Sequence, residues 1–416
     1  MKTFRVVMCL ISLVLLLAGC GTASSQAGEK EHITLWYWNR GLDDSLVEQI
    51  ETQFPNVELE AQKIGGDFRI KLQTTLVGNS GGPDIVMLND WIAQYLPYNE
   101  HFANLYDYGA ESIQDDYLDW KWNLAEVNDG EKLIALPVDT GPTALFYRKD
   151  LFEQAGLPTE PEEVASQLQT WDQYIEAGKK LKESTGVYMV DSILSIYRMA
   201  IAQSPKKFFS EDDEYIGDQD HMKQIWDTAV KAAETGIAPG IQDGTTDWNA
   251  AYNNSQIATV PNAVWGKKIL EDAAPNTSGQ WRVAEAPGGA GNRGGSFLSV
   301  LESSEHKQTS YDIIAWLMSP ENQITAYQNY NLFPSAIDAL ESSELSSEEE
   351  FYGGQNTTKT FVDVAKDVPE TYFGEFHSMV NGIFEAELRL VETRGKDPEQ
   401  AWNDIQVQVK RELSRR

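Results

Sequence analysis

Between residues 31 and 98, apolar runs of strand length alternate with stretches of helical pattern, and this alternation narrows the possible folds more than any other feature. Ile33-Thr34-Leu35-Trp36-Tyr37-Trp38 is apolar and β-rich, Asp43 to Gln53 is amphipathic, and Val57 to Gln62 alternates as a second strand. Phe68 to Val77 then has a helical pattern, Asp84 to Leu88 is a short buried strand, and Trp91 to Tyr98 is another helix. A strand that follows a strand through a helix needs a crossover, and each crossover covers a face of the sheet. The expectation is an α/β fold with mainly parallel sheets flanked by helices. Farther on, Asp139-Thr140-Gly141-Pro142 leads into apolar Thr143 to Tyr147, the pattern of a chain passing from one sheet to another through a Gly-Pro kink. Thr170 caps a helix to about Lys182, a mostly helical region runs to about Trp248, and strands are expected at Ile257 to Val260 and Ser296 to Leu301. Tyr311 to Met318 and Glu321 to Tyr330 read as one helix interrupted at Pro320, and helices near Phe376 to Glu392 and Glu399 to Leu413 follow.

The N-terminal segment says where such a chain would live. Lys2 and Arg5 precede the apolar run Val6 to Leu17, which is too short for the roughly 30 Å of a bilayer core and suits a signal peptide. Leu17-Ala18-Gly19-Cys20 closes the run and resembles the bacterial lipobox, whose cysteine is acylated and becomes the new N-terminus. This assigns residues 1–19 to a lipoprotein signal peptide and residues 20–30 to a lipidated Cys20 with a flexible tether, on the outer face of a bacterial cell membrane of Gram-positive type. Two acyl chains meet the requirement for stable anchoring. The alternative is cleavage nearby by an ordinary signal peptidase, with Cys20 incidental. The only other cysteine, Cys9, lies in the leader, so the mature chain has no thiol for a disulfide, a metal or a nucleophile. A net charge of −31 repels nucleic acid and anionic lipid.

Catalytic signals are sparse. His32, His101, His221, His306 and His377 have no partner at helical spacing, so no metal site is expected, and no cofactor is implied. Gly289, Gly291 and Gly294 satisfy G-x-G-x-x-G, but a strand follows where a helix is needed. Asp212 to Asp220 has the acids of a calcium loop but Lys223 where the bidentate Glu belongs, and a surface hairpin is the better reading. Glu341 to Glu350 reads as a solvated acidic loop or helix start. The positive signal is tryptophan. Among 12, Trp38, Trp91, Trp171, Trp248 and Trp265 sit at strand ends or loop starts, whereas Trp36 and Trp316 read as core. A sugar ring has an apolar C–H face and a hydroxyl rim, so it needs flat aromatics beneath and carboxylates or amides around. Asp90 beside Trp91, Asn262 before Trp265 and Arg40 after Trp38 supply that combination. Two carboxylates flanking a glycosidic bond would instead make a secreted glycoside-acting enzyme, and 64 acids leave that open.

Several segments together carry a family resemblance: Gly82-Pro83-Asp84-Ile85-Val86 leading to Asp90; Leu136-Pro137-Val138-Asp139 through Phe146-Tyr147-Arg148-Lys149-Asp150-Leu151-Phe152 and Ala155-Gly156-Leu157-Pro158; Thr170-Trp171-Asp172; Ile257 to Val260 with Trp265; and Gly294-Gly295-Ser296 before Ala315-Trp316-Leu317. In this order the chain resembles the extracellular solute-binding proteins of carbohydrate ABC transporters, the maltose-binding-protein-like group. The resemblance implies a periplasmic-binding-protein-like fold of two lobes with ligand between them and about three hinge crossings, near Asp139 to Pro142, Arg293 to Ser296 and Leu332 to Ser335. The N-terminal lobe would hold residues 31–139 and 295–331, and the C-terminal lobe residues 140–294 and 333–416. It further implies a monomer that takes an oligosaccharide and hands it to ABC permease subunits and, through them, an ATPase. Carried over by position, the ligand-binding residues are Trp38, Arg40, Asp67, Asp90, Trp91, Asp139, Trp248, Trp265, Gly295 and Tyr372, with Trp265 as the stacking aromatic. Few charged residues adjoin Trp91 and Trp265 in sequence, a departure from the maltose-specific pattern.

Overall fold

The computed structural model describes residues 30–78, 81–127 and 130–415. The leader, Cys20 and the tether up to residue 29 lie outside the described residues. In chain order the strands are β1 (Glu31–Tyr37), β2 (Val57–Lys63), β3 (Ile85–Leu88), β4 (Leu136–Pro137), β5 (Asp139–Thr140), β6 (Thr143–Arg148), β7 (Thr259–Ala263), β8 (Trp281–Ala284), β9 (Phe297–Val300) and β10 (Phe333–Pro334), with a separate hairpin at Glu126–Val127 and Lys132–Leu133. One sheet has the order β2-β1-β3-β9-β4, and a second has β8-β6-β7. In β1 both faces are buried, Ile33 and Leu35 on one and Trp36 on the other, as befits a strand paired on both sides. β2 buries Val57 and leaves its other residues exposed or half-buried, as an edge strand does.

The α/β class expected from the sequence holds, but strand direction differs. β1 runs parallel to β2 and β3, whereas β9 is antiparallel to β3 and β4. The second sheet is antiparallel throughout. The cause is the connection between the sheets. β6 and β9 each start directly after a crossing segment and run away from it, while β1, β3 and β7 run toward it. Alternation of strands and helices in sequence does not reveal which end of a sheet the chain enters.

The crossings lie side by side. β5 pairs with β10, Thr140 opposite Phe333. Gly141 N donates to Asn292 Oδ1 at 2.7 Å, and Arg293 N donates to Gly141 O at 2.8 Å. A Cβ on Gly141 would stand 2.0 Å from the Arg293 carbonyl oxygen, so only glycine allows this approach. Above and below lie separate cores. The first packs Ile33, Leu35, Val86, Leu88, Trp122 and Phe297. β6 divides the other side by its alternation: Leu145 and Tyr147 face a core with Tyr197, Trp226 and Phe384, and Ala144 and Phe146 face one with Trp281, Tyr352 and Phe361. Leu118 and Trp120 also join this last core, where Trp120 Nε1 donates to Ala365 O at 2.8 Å, and Ala336 and Ala339 join the first. Packing therefore interlocks across the crossings.

Four local expectations shift. Trp91 to Tyr98 is a run of 3-10 turns, Asp90–His101, because Asn89 caps it by accepting from Asp90 N and Pro97 cannot supply an N–H. The strand expected at Ile257 begins at Thr259, with Ile257 bridged to Tyr188. The interrupted helix is two helices, Lys307–Leu317 and Pro320–Tyr330, the second capped by the Ser319 side chain. Trp316, expected in the core, is half-buried, packing its edge on Phe54 at 6.2 Å. At the acidic turn, Phe209 bridges Tyr215 around Asp213 in a left-handed conformation, a surface hairpin. No helix among the described residues is long and apolar enough to cross a membrane.

Candidate functional site

The loops that leave β1, β3 and β7 converge where the crossings lie, at the ends toward which those strands run. After β1, Trp38 packs edge-on against Phe68 at 5.3 Å, and Arg40 takes a left-handed turn with φ 64°. After β3, Asn89 begins the 3-10 turns that carry Asp90 and Trp91. After β7, Trp265 stands at the start of the helix Gly266–Ala273; its Nε1 donates to Arg293 O at 3.0 Å, and the Arg293 guanidinium lies 5.1 Å from its ring centre. From β5, Asp139 Oδ1 accepts from Ser296 N at 2.7 Å.

These residues surround connected cavities. An outer chamber of about 470 Å³ is lined by Trp38, Arg40, Asp90, Asp139, Trp265 and Gly295, six of the sequence-named residues. Asp67 and Trp91 share an adjoining open hollow of about 540 Å³ with Trp38. Asp90, Arg293 and Gly294 border both the outer chamber and a deeper one of about 380 Å³, which Tyr372 lines farther on. Tyr372 is held there by donating its hydroxyl to Asp213 at 2.6 Å. Trp248 is not brought to the cleft. It is buried, packs against Tyr252 with ring centres 4.4 Å apart and tilted by 55°, and donates Nε1 to Asp191 at 2.7 Å. A tryptophan inside a helix at Thr246–Asn253 gives no sequence sign of which face is inward when its neighbours are Asp and Asn.

Charge in the cleft is denser than sequence adjacency suggests. Arg293 reaches Trp265 from 28 positions away and also donates to Asn262 at 3.2 Å; Arg69 and Asp67 flank the hollow of Trp91. Burial raises the Asp90 carboxyl, offset by Lys121 and Arg293, even though its side chain opens onto the cleft. Burial likewise raises Asp139, offset by Lys121 and by the bonds from Ser296. Lys121 itself is pushed down to about 7 by burial. Sequence reasoning missed Lys121 and Arg293. The signal for Lys121 was available, a lone charge between Trp120 and Trp122, while Arg293 shows itself only once the crossings are aligned.

Flat rings, carboxylates and a guanidinium around one cleft can hold a polar ring-shaped ligand by stacking and by paired hydrogen bonds. Among the described residues, no cluster of three or more His, Cys, Asp or Glu is arranged to hold a metal ion.

Comparison with known proteins agrees with this architecture. The chain is 26% identical over 380 residues to a lactose-binding protein of Rhizobium radiobacter, covering 86% of each. It is 21% identical over 399 residues to an arabinooligosaccharide-binding protein of Halalkalibacterium halodurans, covering 89% of this chain and 84% of that one. A crystal structure described as an extracellular solute-binding protein family 1 superposes with a TM-score of 0.87 at 31% identity, covering 92% of this chain and 99% of the other. Residues 45–352 match the family described as bacterial extracellular solute-binding protein, and the chain belongs to that family.

Proposed function

We propose that this protein is a receptor that captures a sugar or oligosaccharide between two lobes, residues 31–139 with 295–331 and residues 140–294 with 333–416, and delivers it to an ABC importer without chemical change. The observation that carries the reading is the shared outer chamber, which Trp265 and Trp38 line together with Asp90, Asp139 and Arg40. Trp38, Arg40 and Asp90 come from the first sheet's loops and Trp265 from the second's, so a ligand touching both favours the closed state over the open one. The relatives named for lactose and arabinooligosaccharide support a saccharide as cargo. In this reading the mature protein is a monomer tethered through acylated Cys20 to the outer face of a Gram-positive cell membrane, and its partners are separate permease and ATPase chains.

Titration calorimetry against a panel of neutral oligosaccharides, with chromatography of the recovered sugar, tests the proposal. One-to-one binding with the sugar recovered intact supports it. Cleavage products would instead make the protein a glycoside-acting enzyme.

A further inference from the structure

Where the outer and deeper chambers meet, the short helix Asp119–Trp122 turns a lysine inward. Lys121 is fully buried, its Nζ lies 3.5 Å from the centre of the Phe297 ring, and that nitrogen has no hydrogen-bond partner among the described residues. The protein treats its other deeply buried lysines differently. Lys207 Nζ donates to the carbonyl of Ile201 at 2.6 Å, and Lys267 Nζ pairs with Glu349 at 2.5 Å. An ammonium left with unmade bonds costs stability that an apolar side chain against Phe297 would avoid. The carboxylates that offset this cost are Asp90 and Asp139, whose fields both favour the charged lysine. Gly295 backs directly onto it, since a Cβ there would stand 2.9 Å from Nζ.

We propose that Lys121 is a ligand-contacting residue that sets specificity: its free ammonium donates to one hydroxyl oxygen of the bound saccharide while Asp90 accepts from the neighbouring hydroxyl. The inference rests on the saccharide reading above and narrows it to a neutral vicinal diol at the junction. A sugar hydroxyl can accept from Lys121 and donate to Asp90, whereas the carboxylate of a uronic acid would face Asp90 and Asp139 at once. The four-carbon stem lets the ammonium swing from the Phe297 face toward the chamber while its own chain segment stays in place. Other ionisable groups facing this space are Glu126 on the same side, Arg293 at the crossing, and Arg198, Lys207, His377 and Glu385 on the opposite wall. Because burial lowers the affinity of Lys121 for its proton, a ligand that bonds the ammonium draws a proton from solvent when it binds near pH 8.

The experiment compares wild type with Lys121→Met, using lactose, arabinotriose and digalacturonate as probes in calorimetry at pH 8 in two buffers of different ionisation enthalpy. The expected result is an unliganded variant that melts at or above the wild-type temperature, an affinity for the neutral sugar reduced about 10- to 100-fold, and proton uptake in wild type alone. A lower melting temperature, equal affinities, tighter binding of digalacturonate than of neutral sugar, or no proton uptake by wild type would each overturn the proposal. Wild type that binds none of the saccharides overturns the saccharide reading and this inference with it. Binding that Lys121→Met leaves unchanged overturns the inference alone.

Discussion

Replacing Trp265 separates stacking from scaffolding, because its ring and its indole nitrogen have different partners. The ring is half-exposed to the outer chamber, and Nε1 is spent on the Arg293 carbonyl at 3.0 Å. A sugar stacked on the ring hides roughly 40 Å² of apolar surface, about 1 kcal/mol, and preferred ring geometry adds about 0.5–1.5 kcal/mol. Trp265→Ala should therefore weaken saccharide binding by about 1–3 kcal/mol, roughly 5- to 150-fold in Kd. It also loses the Nε1 bond and the Arg293 contact, about 1–2 kcal/mol of stability. Trp265→Phe keeps an aromatic face and the Arg293 contact but loses the Nε1 bond and part of the ring area, so its stability should fall by less than that of Trp265→Ala and its affinity by less than tenfold. Titration calorimetry and urea midpoints on both variants read the two quantities. A folded Trp265→Ala protein with unchanged affinity would refute the assignment of the stacking surface.

The residues that line the outer chamber were legible because they follow strands. A residue at the end of an apolar run in an α/β chain lands at the sheet's rim, which places Trp38, Asp90 and Trp265 without knowledge of pairing. Trp248 failed that logic because it sits in a helix, where inward and outward faces depend on a partner. Lys121, marked in sequence only by its place between two tryptophans, and Arg293 were not placed at the cleft for another reason. Each becomes part of the cleft only when segments more than a hundred residues apart are aligned, as Arg293 is with Gly141. The antiparallel second sheet was hidden in the same way, since direction depends on where the chain enters from the crossing. Trp316 shows the limit of helical periodicity: the apolar run around it is real, yet the ring lies at the helix edge against Phe54.

Three further outcomes are expected. Trp316→Ala should cost about 1–2 kcal/mol in a urea midpoint, against about 3–5 kcal/mol for the fully buried Trp226 replaced by Ala; equal costs would contradict the half-buried placement. Burial holds Lys121 and Lys207 near 7 in the native state against 10.5 ordinarily. The unfolded chain then binds more protons between these values, so stability should be flat in these lysines below pH 7 and rise from pH 7 toward 9, by roughly 1 kcal/mol per pH unit for each. Lys121→Met should flatten about half of that rise in chemical denaturation. Cys20→Ser should abolish acylation and release the protein to the medium, and a variant that stays membrane-bound would remove the lipid anchor from the proposal.

The most direct test of the cleft as a saccharide-binding site is a titration of the purified mature protein with neutral oligosaccharides, followed by small-angle scattering with and without the tightest binder. The account predicts one-to-one binding, intact sugar on recovery and a smaller radius of gyration in the complex as the lobes close. A protein that binds no oligosaccharide, or that returns cleaved sugar, would contradict it.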